Sequence, residues 1–167
     1  DATIGKHGRS ETIIIRDSPD ECVHLCALHI SQHDGKLMIA DADVVIRPGE
    51  KVLVRGESGS GKSTLIRAIA GLWPWGGGEI LIPPKALVSF IPQKPYFPLG
   101  TLRDALVYPH TELNLPREAM ENVLVRCGLS HLARRLEETD NWTSVLSGGE
   151  QQRVAFARAM LNPPDIL

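Results

Sequence analysis

Nine residues, Gly56-Glu57-Ser58-Gly59-Ser60-Gly61-Lys62-Ser63-Thr64, constrain this chain more than any others. They satisfy the phosphate-binding loop pattern G-x-x-x-x-G-K-[ST] at every specified position. An apolar run, Lys51-Val52-Leu53-Val54, precedes them and predicts a strand. A helix-like run, Thr64 to Ala70, follows and is closed by Gly71. A phosphate loop works between a strand and a helix N-terminus, and the sequence predicts that placement. Three glycines and two small serines let the backbone fold into a cradle whose N–H groups face inward. The helix start near Lys62 adds free N–H groups and the positive end of its dipole. Lys62 is then a point charge for terminal phosphates, and Ser63 a ligand for Mg²⁺, with Thr64 one step into the helix. A glycine-rich turn before an ordinary helix is the plain alternative. It gives no reason for the loop, the Lys-Ser pair and the strand–helix context to coincide.

Length and composition set wide bounds. The 167 residues suit one domain with its own core. The formal net charge of -2, without a block of like charge, argues against a dedicated nucleic-acid surface. No apolar run reaches the length of a transmembrane helix, and residues 1–10 have no signal-peptide pattern. Three irregularly spaced cysteines, Cys22, Cys26 and Cys127, suggest reduced thiols. Cys22, His24 and Cys26 alternate on a strand-like run and would share a face, with His29 close by. No second Cys/His pair completes a metal site, so they read as half-buried strand residues.

The first third reads as β-rich and antiparallel. Ile13 to Ile15 is a short edge strand, Asp17-Ser18-Pro19-Asp20 a turn and Val23 to Ile30 a strand. His33-Asp34-Gly35 is a hairpin turn, followed by separate strands at Leu37 to Ala40 and Val44 to Ile46. Arg47-Pro48-Gly49-Glu50 turns into the strand that feeds the loop. Further strands are expected at Glu79 to Ile82 and Ala86 to Ile91. From Pro98 the pattern is helical. Thr101 and Asp104 have capping-box spacing, Pro116 opens a helix that closes at Gly128, and Leu129 to Glu138 forms another. Ser147-Gly148-Gly149-Glu150 is a second capped helix start, with Val154, Ala157 and Leu161 at helical spacing. From the residues alone, phosphate contact at those glycines and an ordinary capped helix both stay open. Asp165-Ile166-Leu167 reads as the start of a strand.

The run Leu146-Ser147-Gly148-Gly149-Glu150-Gln151-Gln152-Arg153 resembles the signature motif of ATP-binding cassette (ABC) ATPases. With the loop at 56–64 and Gln93 between them, the order of motifs is that family's, over roughly residues 21–167. The resemblance implies an α/β fold. It would combine a P-loop NTPase core and a mostly parallel sheet with an antiparallel β-subdomain and a helical subdomain. It divides a single partial domain, 1–167, into a β-rich part at 11–55 and a P-loop core at 56–93. A helical subdomain at 98–145 follows, then the signature helix and the start of an acidic-motif strand at 146–167. Gln93 is similar to the family's Q-loop glutamine, which attends Mg²⁺ and the attacking water. Ser147, Gly148, Gly149, Glu150 and Gln151 would meet ATP held by an opposing cassette. Two domains would therefore sandwich two ATP molecules head to tail.

Gly71-Leu72-Trp73-Pro74-Trp75-Gly76, the segment Ile91 to Arg103 and Trp142 resemble exporter-type members. The group concerned holds bacterial SbmA/BacA-like fused transporters and peroxisomal fatty-acyl transporters. That implies a permease domain on the same polypeptide and a place on the cytoplasmic face of a membrane, the bacterial inner membrane. Tyr96, Phe97 and Leu99 would either face that permease or pack into the helical subdomain. Two departures stand out. The strand-ending Asp-Glu pair, which would position Mg²⁺ and polarise water, does not occur after Asp165, nor does a switch histidine. The expectation is a fold lacking its C-terminal part, which binds ATP and hydrolyses it negligibly. The adenine-stacking position offers His33 in place of Tyr. The rivals are a non-transport ABC ATPase of the DNA-repair or translation-factor kind, and a nucleotide-binding module without turnover.

Overall fold

The structure is a computed structural model that describes residues 12–167. The chain forms two compact units, dividing between Ala86 and Leu87.

The first unit is built on one four-stranded sheet. Its strands are β1 (Ile14–Asp17), β2 (Val23–Ser31), β3 (Leu37–Ile46) and β4 (Gly76–Ile82), in spatial order β1-β4-β2-β3. β2 pairs antiparallel with both β3 and β4, while β1 runs parallel to β4 at the edge. The edge strand and the β2–β3 hairpin stand where the sequence put them. The two short strands expected after the hairpin are one continuous strand.

β2 shows why. Its buried residues are Val23 and Leu25, then Leu28 and Ile30, so the alternation slips by one position between Leu25 and Leu28. A slip of one would turn half the strand inside out. Instead the ladder bulges there against both neighbours, and Ala27 takes φ 43°. An extra residue at a bulge leaves a backbone N–H without its ladder partner. Asp43 of β3 supplies one: its Oδ1 accepts from the Ala27 N–H at 2.7 Å. The polar interruption in β3 is therefore a brace for the bulge and no break in the strand. Gly78 of β4, at φ 85°, lies opposite. A Cβ there would stand 2.6 Å from the Cys26 carbonyl oxygen and still closer to that of Ala27.

Helix α1 (Lys62–Ile69) packs Ala68, with Leu65 and Ile69 partly buried, against Ile13, Leu25, Leu28, Ile30 and Ile80. The expected strand at 51–54 is corrected by the structure. Residues 50–57 take no regular conformation, and Val52, Leu53 and Val54 are exposed. A strand holds only when a neighbour takes up its N–H and C=O groups. No strand lies beside this run among the described residues.

The second unit is mainly helical. It contains α2 (Leu102–Val107), α3 (Arg117–Arg126), a 3-10 segment (Ser130–Arg135), α4 (Trp142–Val145) and α5 (Gly148–Leu161). A short pair, β5 (Gly100–Thr101) with β6 (Thr139–Asp140), ties its start to the segment before α4. The core joins Phe97, Leu102, Leu106, Met120, Leu124, Leu132, Leu136, Trp142, Leu146 and Val154. Trp142 is fully buried, and its indole N–H donates to the Gly100 carbonyl at 3.1 Å. The third expected helix is 3-10 in form, in keeping with buried Leu129 and Leu132 three residues apart.

The strand expected at Ala86 to Ile91 is likewise reduced, to a single parallel bridge, Val88 with Ile166. Asp165 anchors it: its N–H donates to the Leu87 carbonyl at 2.9 Å, and its carboxylate accepts from the Leu87 N–H at 2.8 Å. Parallel pairing among the described residues is thus confined to β1–β4 and this bridge, and the mostly parallel sheet expected from the resemblance is not formed. The architecture is mixed α/β.

Candidate functional site

The loop at 56–64 has the conformation its glycines require. Gly59 and Gly61 take φ 81° and 93°, and Gly61 is the N-cap of α1. A glycine cap offers no side chain to the first N–H groups of the helix, and none of them receives a side-chain capping bond. That leaves donors and the positive dipole end for an outside anion. Ser63 stands in the first turn with its side chain exposed, while Thr64 is buried at 6% exposure.

Lys62 turns back across the loop. Its Nζ donates to the Gly56 carbonyl at 2.8 Å, to the Glu57 carbonyl at 2.5 Å and to Ser60 Oγ at 3.4 Å. The ammonium group is thereby held over the loop by three neutral oxygens and neutralised by none. Its charge remains to attract an anion, which fits a nucleotide phosphate, while the Ser63 hydroxyl is an oxygen donor that fits the accompanying Mg²⁺. The loop thus brings together the lysine, the hydroxyl of Ser63 and the open start of α1.

His33 sits in the β2–β3 turn, where Gly35 N–H donates to the Gln32 carbonyl at 2.9 Å. It lines a cavity of about 230 Å³ with His29, Ser31, Gln32, Gly35, Trp75 and Gly76. Trp75, which also lines this cavity, makes an edge-type contact with Trp73, centroids 4.8 Å apart. Trp73 in turn donates to the Ser31 carbonyl at 2.9 Å. Reasoning from the sequence missed Trp75, because it lies 42 residues after His33 and only the β2–β4 pairing brings the two segments together.

In the second unit the signature run forms the expected capped start of α5. Ser147 Oγ accepts from the Glu150 N–H at 3.4 Å, and Glu150 Oε2 accepts from the Ser147 N–H at 2.9 Å and its hydroxyl at 2.7 Å. His131 Nε2 lies 2.9 Å from the other oxygen of Glu150. The Ser147 hydroxyl, then the Ser147 N–H, hold the Glu150 carboxyl below its ordinary value, with His131 adding to the effect. Above Gly148 the space is open, since a Cβ there would meet nothing within 4 Å. Gln151 is turned inward, donating to the carbonyls of Thr143 at 2.8 Å and Leu146 at 3.0 Å. Its amide fixes the turn ahead of the helix. Gln93 is exposed, and its backbone carbonyl accepts from Gln152 Nε2 at 3.4 Å. That bond ties the segment after the 86–91 run to the signature helix.

Downstream of Gln93 the three apolar residues separate. Phe97 is in the core, while Tyr96 and Leu99 are 62% and 85% exposed. Arg158 of α5 spans the space beside Phe97. Its Nε donates to the Ala105 carbonyl at 2.7 Å, and its guanidinium lies 4.8 Å from the Phe97 ring centroid and 5.5 Å from that of Tyr108. Burial pulls it down to about 10.

Residues 39–167 match the sequence model of a family described as ABC transporter. An uncharacterized ABC transporter ATP-binding protein of Synechocystis is 44% identical over 79% of this chain and 20% of its own length. One from Haemophilus influenzae is 42% identical over 83% of this chain and 23% of its own. Human ATP-binding cassette sub-family D member 3 is 33% identical over 94% of this chain and 24% of its own. The chain spans about a fifth to a quarter of the length of these relatives. The family match covers most of the chain, and both the glycine-capped loop and the signature helix lie within it, so this chain belongs to the ABC transporter family, as an ATP-binding domain.

Proposed function

We propose that this chain binds Mg²⁺-ATP at residues 56–64 and lends its signature helix to ATP held by a second cassette. In the whole protein, binding and hydrolysis would drive exporter-type transport of a solute across a membrane. The observation that carries the reading is the start of α1: a glycine cap without a side-chain acceptor, with the Lys62 ammonium held over the loop by neutral oxygens. Lys62 attracts and orients the terminal phosphates, and the Ser63 hydroxyl is the group suited to ligate Mg²⁺. When bound, Mg²⁺ offsets phosphate charge. Gln93 takes the Q-loop role by resemblance. His33 is the assigned adenine contact, and an aromatic residue, Trp75, lining the same cavity supports base stacking there.

On the signature side, open space above Gly148 supports approach of a phosphate to the N–H groups of α5. Ser147, Gly149 and Glu150 complete that end, and Gln151 acts by holding its geometry. The names of the relatives favour transport over DNA repair or translation. No helix among the described residues is long and apolar enough to cross a membrane, so the permease would be supplied by other sequence. Tyr96 and Leu99, both exposed, are the residues we assign to it. The division into β-rich part, loop core, helical subdomain and signature helix, and a place at the cytoplasmic face of a bacterial inner membrane, belong to the same proposal.

Sedimentation of the full chain with and without Mg²⁺-ATP tests the reading. Nucleotide should raise the dimer fraction, and both Lys62→Ala and Ser147→Arg should abolish that rise. An association indifferent to ATP, or one that Ser147→Arg leaves intact, contradicts it.

A further inference from the structure

The turn from β1 into β2 gathers three donor atoms of different kinds. Asp20, Cys22 and His24 each present one ligand atom, and all three atoms lie within 4.8 Å of one another. His24 Nε2 is 2.8 Å from Asp20 Oδ1, and the same oxygen accepts from the Cys22 N–H at 2.8 Å and the Ser18 hydroxyl at 3.1 Å. The Cys22 thiol also faces this carboxylate, and burial followed by that negative charge pushes the thiol up. The carboxylate itself is held down at about 2, first by His24 and then by the Cys22 N–H.

The arrangement follows from strand geometry. Cys22 and His24 alternate into β2 and share the face opposite Val23 and Leu25, which point into the core. Asp20 reaches them because Ser18-Pro19-Asp20-Glu21 turns back, with the Ser18 N–H bonded to the Ile82 carbonyl at 2.8 Å. The site is open to solvent: Asp20 has a side-chain exposure of 51% and His24 of 19%. In the sequence, Cys22, His24 and Cys26 share a strand face without a second Cys/His pair and read as half-buried strand residues. The structure brings Asp20 to Cys22 and His24, and it leaves Cys26 outside the cluster.

We propose that Asp20, Cys22 and His24 form a binding site for a borderline-soft divalent cation of the zinc class. Atoms bound to one zinc ion at about 2.0–2.3 Å stand roughly 3–4 Å apart in a tetrahedron. The donor atoms here need to adjust by about an ångström or less to reach that spacing. Thiolate, imidazole and carboxylate together select zinc over magnesium, so the Mg²⁺ that accompanies nucleotide does not compete. Three protein ligands leave the fourth position to water. On binding, the Cys22 thiol gives its proton to solvent and the sulfur bonds the metal. The ion would pin the turn at 18–22 to the start of β2 and stabilise the native chain by mass action.

Cobalt(II) is the probe, added to the reduced full chain without nucleotide. The expected result is saturation at one equivalent, with a thiolate-to-cobalt charge-transfer band and intense visible bands of tetrahedral geometry, both displaced by zinc. Cys22→Ser should remove the charge-transfer band and weaken zinc binding by about 100-fold or more, beyond the roughly 10–100-fold cost of losing a supporting group. Asp20→Asn, at an exposed position, should weaken binding while leaving far-ultraviolet circular dichroism unchanged. It therefore tests the site even where Cys22→Ser compromises folding. Cys26→Ser and Cys127→Ser should retain the full spectrum. A spectrum without the charge-transfer band overturns the site, as does one that survives Cys22→Ser or one lost in Cys26→Ser. Unchanged affinity in Asp20→Asn does so as well.

Discussion

Single residues divide here by what satisfies them. Lys62 and Glu150 are both charged groups at helix starts, yet they are settled in opposite ways. Lys62 is held by uncharged oxygens beside a helix start without a side-chain cap, which leaves an appetite for anion. Glu150 is the reciprocal partner of the Ser147 cap, and its carboxylate accepts from both the Ser147 N–H and hydroxyl. The sign of its pH effect follows. Its folded value is lowered, so its contribution to stability is present above its ordinary value of 4.5 and is lost as pH falls through the lowered one. Ser147→Ala should cost about 1 kcal/mol at neutral pH, the usual cost of losing a cap. Thermal melts at pH 7 and pH 3 should show the gap between wild type and Ser147→Ala narrowing in acid. An equal gap at both values would mean that Glu150 carries none of the capping.

At the level of elements, the local signals were legible and the pairings were not. Thr101 with Asp104 and Ser147 with Glu150 announced two helix starts, because a capping box is written in four consecutive residues. The His33-Asp34-Gly35 turn announced its hairpin for the same reason. The run at 51–54 has strand composition, but a strand needs a neighbour, and that neighbour is no property of the run itself. The β2 bulge was hidden too. Its evidence in the sequence is the change of phase between Leu25 and Leu28, and its brace, Asp43, reads as a strand breaker until the pairing is known. Gly78 belongs to this device, since no Cβ fits against the Ala27 and Cys26 carbonyls. Gly78→Ala should destabilise the first unit by about 2 kcal/mol through backbone strain, read as a lowered denaturation midpoint with unchanged slope. A midpoint equal to wild type would show that the bulge yields at no cost.

On the scale of the whole molecule, the functional features are shared out between two compact units. The first unit carries the phosphate loop, the His33 and Trp75 cavity, and the Asp20, Cys22 and His24 cluster. The second carries Gln93, the exposed pair Tyr96 and Leu99, and the signature helix. The loop and signature were readable without coordinates because each is a contiguous motif tied to one backbone geometry. The cavity and the cluster were not, because each depends on sheet pairing or a turn to unite separated residues. The proposed ATP-driven function rests on the loop binding phosphate. Calorimetric titration of Mg²⁺-ATP into the chain, beside Lys62→Ala, asks that directly. Saturable binding at one site per chain is expected, with a loss of at least about tenfold in affinity, some 1.4 kcal/mol, in the variant. Equal binding by the two proteins, or none by the folded wild type, would contradict the proposed function.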